Sequence, residues 1–168
     1  LLAISLSLAA MLFYIWIRFE WQFSLGAIIA LIHDVIITVG IFSFLSYEVN
    51  LSIVAAVLTI VGYSMNDTVV IFDRVRENLK KYSKISISEI SDLSTNQTLS
   101  RTLITSVTTL LALFSIYIFG GAILKGFSFA MIIGVIVGTY SSIFVATPIL
   151  NYTNVSQKPI LKQDKENN

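Results

Sequence analysis

The stretch "GYSMNDTVVIFDR", residues 62–74, decides how this chain is read. It belongs to a run that is otherwise apolar from Leu51 to Phe72, yet it carries Asn66 and Asp67 well inside. An aspartate at the centre of a membrane helix costs about 2.5–3.5 kcal/mol on insertion scales. A second apolar run holds His33 and Asp34 in the same way. Ionisable residues inside a span are read as functional by default.

Composition supports the membrane setting. The chain has 168 residues, of which 55% are hydrophobic and 12% charged, and its mean hydropathy is +0.82. Soluble domains carry about 25% charged residues, so this is an integral membrane protein. The absence of cysteine excludes disulfides, thiolate metal sites and a thiol nucleophile. No metal, cofactor, catalytic group or nucleic-acid partner is expected.

Five apolar runs are long enough to cross a hydrocarbon core, which takes about 20 residues. The expected fold is therefore an all-α, polytopic bundle of five membrane helices near 1–18, 23–45, 51–78, 101–120 and 127–150. Between the third and fourth, Ile87, Ile90 and Leu93 recur near helical spacing among Ser, Glu and Asp. That pattern reads as a short amphipathic helix on the membrane surface within 79–100; a solvated loop is the alternative. The polar tail 151–168 reads as disordered. The chain opens without methionine inside an apolar run, with neither a basic n-region nor a cleavage site, so it reads as a piece of a longer protein.

Basic residues set the expected orientation. If the first run ends in the cytoplasm, the inside receives ten of the eleven, namely Arg18, Arg74, Arg76, Lys80, Lys81, Lys84, Arg101, Lys158, Lys162 and Lys165. The outside receives only Lys125. The C-terminus is then cytoplasmic.

Small residues recur every three or four positions: Gly126, Ala130, Gly134, Gly138 and Ser142 in the last run, and Ala55, Thr59, Gly62 and Asn66 in the third. Such stripes let helix backbones approach closely. Gly62, Gly134 and Gly138 are accordingly expected at packing contacts.

Asp67 lies about 9 Å, at the helical rise, from the cytoplasmic end marked by Asp73. Ser64 and Thr68 offer it hydroxyls at helix-neighbour range, and Asn66 an amide. Arg101 heads the fourth run at a comparable depth, followed by Thr105, Thr108 and Thr109. A nearby guanidinium favours a charged carboxylate, and its withdrawal a neutral one. A carboxyl that gains and loses a proton in this way has what a proton pathway needs. The same pair could equally be a static salt bridge that fixes helix register.

The run 62–78, together with "RTLITSVTTLLALFSIYIFGG" (101–121) and "HDVIITVGIF" (33–42), resembles the SecD/SecF family of protein-export membrane proteins. That family is related to the resistance-nodulation-division (RND) transporters. Asn-Asp-Thr at 66–68 and Arg-Thr at 101–102 are similar to the SecF branch rather than to SecD. The resemblance covers nearly all of residues 15–150. It implies a bacterial inner-membrane subunit that pairs with SecD, acts beside the SecYEG channel, and uses the proton gradient to draw precursor proteins across. It implies proton-pathway roles for Asp67 and Arg101, with Thr105 lining the same region. His33 and Asp34 match a family motif to which no role is attached. The resemblance further implies one more helix and a periplasmic domain ahead of Leu1, where precursors would be engaged. Sodium in place of the proton stays open.

Rival readings are an intramembrane aspartyl protease built on Asp34 and Asp67, a scaffold whose buried charges only fix register, and a drug exporter of the same superfamily. The protease reading lacks the glycine-flanked aspartates of that class.

Overall fold

The computed structural model describes residues 20–46, 50–82 and 85–153, together with Leu6, Ala9, Phe13 and Ile17. Among these residues four helices are long and apolar enough to cross a membrane. We number them α1 (Trp21–Phe44), α2 (Leu51–Lys81), α3 (Ile87–Phe119) and α4 (Gly121–Tyr152). The count is four and not the expected five. The first expected span, 1–18, lies outside the described residues apart from the four isolated positions, each helical and exposed. The tail beyond Thr153 also lies outside them.

Local chemistry explains the boundaries. Asn50 caps α2 by accepting from the backbone N–H of Ile53 at 3.0 Å, which satisfies one of the free donors of the first turn. Lys80 and Lys81 close the same helix, where cations complement the negative end of the helix dipole. At 31 residues α2 is about 46 Å long, so it continues well past a hydrocarbon core of about 30 Å.

The segment expected to lie apart on the surface is instead the first third of α3. Ser86 and Glu89 form a reciprocal capping box, and no glycine or proline follows until Gly120, so nothing stops the helix before the membrane. The protruding ends of α2 and α3 are held together by Asn78. Its amide donates to Ser94 Oγ at 2.8 Å and to Gln97 Oε1 at 3.0 Å. The apolar spacing at 87, 90 and 93 serves contact with α2: Ile90 is fully buried there.

Gly121, at φ +74°, makes the tight turn from α3 into α4, a conformation glycine takes without penalty. Near its far end α4 widens into a π-helical turn at Ser142–Ala146. Pro148 supplies the reason, because it has no N–H and its ring crowds the carbonyl four residues back. The Thr147 hydroxyl takes the Ser142 carbonyl at 2.9 Å.

The helices enclose two apolar clusters. One centres on Phe23, Phe72, Val75, Ile90 and Leu150, the other on Phe42, Ala56, Ile60, Met131 and Val135. Buried polar residues lie between them in sequence on α1, α3 and α4 (Asp34, Thr102, Ser106 and Ser141 among them), and on α2 Ser64 and Asp67 lie among the residues of the first cluster. The bundle therefore has a polar waist. Gly138 permits it: a Cβ there would lie 3.0 Å from Ser64 Cβ. Gly134 packs still more tightly, with the Ile60 side chain occupying the place of its missing Cβ.

Candidate functional site

The waist holds two carboxylates in opposite states of satisfaction. Asp34, on α1, is 0% exposed. Its Oδ2 accepts from Ser64 Oγ on α2 and, at 2.8 Å, from Ser141 Oγ on α4. Its Oδ1 lies 3.0 Å from His33 Nδ1. One carboxylate thus ties three helices together. Asp67, on α2, is 3% exposed, and its Oδ2 is buried with no hydrogen-bond partner. The hydroxyls of Thr38, Thr68 and Thr102 are buried and unpartnered as well. Buried polar groups in proteins are nearly always hydrogen-bonded, so these positions are candidates for a role beyond packing; Glu20, Gln22, Ser91 and Asn151, nearer the helix ends, carry such atoms too.

Arg101 stands on α3, exposed, and its charge acts on Asp67. No ion pair within 4 Å joins the two among the described residues. A polar cavity of about 530 Å³ lies between α2 and α3, lined by Val70, Asp73, Arg74, Glu77, Gln97, Thr98 and Arg101. Val70, one turn from Asp67, and Arg101 both stand in its wall, while Asp67 itself does not line it.

Several expected partners are placed differently. Ser64 serves Asp34 and not Asp67, because α1 packs against the face of α2 that Ser64 occupies. Thr105 turns its hydroxyl back to its own helix, donating to the carbonyls of Arg101 at 3.0 Å and Thr102 at 2.9 Å. Asn66 is exposed. So is Gly62, which has nothing within 4 Å of where a Cβ would sit. Ala55 and Thr59 share that outward face. This small-residue stripe therefore does not pack against the other described residues; the face that does runs through Ala56, Ile60, Ser64 and Asp67. Thr68 and the pair Gly134 and Gly138 point inward.

Neither composition nor spacing assigns a site role to Ser141, Thr102 or Thr38. Serine and threonine abound in these helices, and only the assembled bundle singles out those that face a carboxylate or stay unpartnered. Gly138, three residues before Ser141, was the available signal: a close approach there brings the next turn to Asp34. The His33 ring, with 29% of its side chain exposed, stacks on Tyr140 at 6.5 Å between centroids. Sequence alone did not join them.

With this geometry in hand, known proteins can be compared. The family model described as "Protein export membrane protein SecD/SecF, C-terminal" matches residues 1–156. Protein translocase subunit SecF of Cereibacter sphaeroides is 49% identical over 165 residues, 98% of this chain and 51% of that protein. The SecF of Rickettsia bellii is 56% identical over 149 residues, 89% of this chain and 49% of that protein. The chain thus spans about half the length of the curated relatives it matches. A crystal structure of SecDF, described as a translocon-associated membrane protein, from Thermus thermophilus superposes with a TM-score of 0.84 at 44% identity, covering 88% of this chain and 21% of that one. A SecDF crystal structure in a super-membrane-facing form gives 0.83 at 40% identity, covering 96% of this chain and 22% of that one. A family model matched over residues 1–156, a shared helical fold and identities of this size leave one conclusion: the chain belongs to the SecD/SecF C-terminal family of protein-export membrane proteins.

Proposed function

We propose that this chain is the membrane portion of a SecF-type subunit of the protein translocase. In a bacterial inner membrane, paired with a SecD-type partner beside the SecYEG channel, it uses the proton gradient to promote late steps of precursor translocation. The observation that carries this reading is Asp67: a carboxylate 3% exposed inside a span, one oxygen unpartnered, with the charge of Arg101 acting on it and, among the described residues, no ion pair closed between the two. A static register-fixing bridge would need the pair closed. Driving a charge across 100 mV releases about 2.3 kcal/mol, which shifts a two-state equilibrium by tens of fold.

Partner and orientation follow from the outer surface. The exposed stripe of Ala55, Thr59, Gly62 and Asn66 lies in a membrane helix, where small residues favour helix contact and an amide disfavours lipid. A partner helix suits it. The asymmetry of basic residues puts the C-terminus in the cytoplasm, and the apolar run 1–18 then supplies a fifth span. The aspartyl protease reading is weakened by Asp34, which is engaged by two serines and a histidine instead of facing a second carboxylate.

The test uses inverted membrane vesicles carrying the full-length protein with its SecD-type partner. Asp67→Asn keeps the shape and cannot ionise. We expect the gradient-dependent part of precursor export to disappear while the complex still assembles. Unchanged export would make Asp67 structural and establish the scaffold reading. Replacing the proton gradient by a sodium gradient in the same vesicles identifies the driving ion.

A further inference from the structure

We propose that His33 and Asp34 form a second proton-binding site, in which one proton is held between imidazole and carboxylate, and whose occupancy sets how firmly α1 grips α2 and α4. The contact is direct: His33 Nδ1 lies 3.0 Å from Asp34 Oδ1. Among the described residues Asp34 has no cationic neighbour within ion-pair range except this histidine. A neutral imidazole beside an ionised Asp34 would leave a net anion in the middle of a membrane bundle, fully shielded from water. A buried charge of that kind is costly unless paired. With one proton added, the pair is neutral.

The geometry also leaves one partner of the pair uncovered. Asp34 is inaccessible, but 29% of the His33 side chain is exposed, beside the exposed ring of Tyr140. A proton arriving at Nε2 makes the imidazolium. The Nδ1 proton then passes to Asp34 Oδ1, leaving a neutral imidazole protonated on Nε2 and a neutral carboxylic acid. One proton has entered and the charge of the pair has risen by one. The imidazole acts as a relay because its two nitrogens are distinct.

Occupancy changes packing through the other carboxylate oxygen. Asp34 Oδ2 accepts from Ser64 on α2 and Ser141 on α4. Hydrogen bonds to an ionised acceptor are roughly twice as strong as those to a neutral one. Taking up the proton loosens both bonds, and losing it tightens them. Ser64 is one turn from Asp67 on the same helix, and Ser141 adjoins the π-helical turn Ser142–Ala146, so one grip ends beside the other buried carboxylate and the second beside an irregular turn. The titratable groups nearby are His33 on α1, Tyr63 and Asp67 on α2, and Tyr140 on α4. Tyr63 instead reaches Thr109 on α3, at 3.5 Å, and the α3 charge of Arg101 acts on Asp67. That this site lies on a transport route rests on the proposed function; that it binds a proton does not.

The experiment is infrared difference spectroscopy across a pH series, on the full-length protein with its SecD-type partner in lipid nanodiscs. The carbonyl stretch of a protonated carboxyl reports each acid directly. We expect a band present in wild type and in Asp67→Asn and missing in Asp34→Asn. His33→Gln keeps the carboxyl and removes the relay, so the band should persist while its hydrogen–deuterium exchange slows about a hundredfold, the scale of a lost proton-transfer group. Identical spectra for wild type and Asp34→Asn overturn the proposal. If Asp34→Asn does not assemble, unchanged exchange in His33→Gln overturns it instead. A band that behaves as expected, alongside export that ignores Asp67→Asn, would leave this site standing and remove the proposed function.

Discussion

At the scale of single residues, what matters is whether a buried polar atom has a partner. Asp34 and Asp67 are the same side chain at similar burial, yet one accepts from three neighbours and the other has an oxygen with none. Glu20, just ahead of α1, shows the same logic at the bundle's edge. Burial raises its pKa, and the charge of Arg76 opposes that only in part. A carboxyl whose folded pKa lies above its unfolded value binds more protons folded than unfolded. The stability it contributes is complete below the unfolded pKa and is lost as pH rises through the folded one. Wild type should therefore lose stability as pH climbs from about the ordinary glutamate value of 4.5, and Glu20→Gln should lose less over the same interval and be the more stable of the two at neutral pH. Detergent-denaturation midpoints followed by tryptophan fluorescence check this; parallel curves for the two proteins would refute it.

At the scale of elements, the two glycine stripes look alike on paper and differ in the bundle. Gly134 leaves room for Ile60, whereas Gly62 faces outward with none of the described residues near its missing Cβ. Gly134→Ala should destabilise the protein by about 1–3 kcal/mol, the usual cost of overpacking. Gly62→Ala should stabilise the isolated chain by roughly 0.5–1 kcal/mol, because glycine inside a helix is unfavourable relative to alanine. Unfolding free energies of the two variants decide it; equal effects would mean that the packing face is misassigned. The same scale explains α3. A surface helix and a membrane helix were legible as two patterns, but no breaker separates them, so they form one rod. Asn78 then clamps that rod to α2 outside the membrane.

At the scale of the whole molecule, the bundle is finished on some sides and open on others. Its interior is closed by two apolar clusters around a polar waist. Its outer surface includes lipid-suited residues such as Ile104, Leu111 and Ile118, but also the small, polar stripe ending at Asn66. A partner helix on that stripe makes a sharp expectation. The chain has no cysteine, so Asn66→Cys introduces a single thiol. A membrane-permeant maleimide should label it readily when the subunit is expressed alone and at least about tenfold more slowly in the complex, since access controls thiol reactivity. Equal labelling in both would place the partner on another face.

Membrane residence, the approximate course of the four described spans and the anomaly of an aspartate inside one of them were all legible in the sequence, because each depends on a local property. Apolar length is measured against a fixed hydrocarbon thickness, and a charge in that setting is conspicuous wherever it lies. The continuity of α3, the outward turn of Gly62 and Asn66, and the transfer of Ser64 from Asp67 to Asp34 were decided only by tertiary structure. So was the recruitment of Ser141, 107 residues along the chain from the carboxylate it serves. A helix of regular period fixes which residues share a face, but not which face meets which neighbour. That choice is made by the close approach at Gly134 and Gly138, which seats α4 on α2 and brings three helices to one carboxylate.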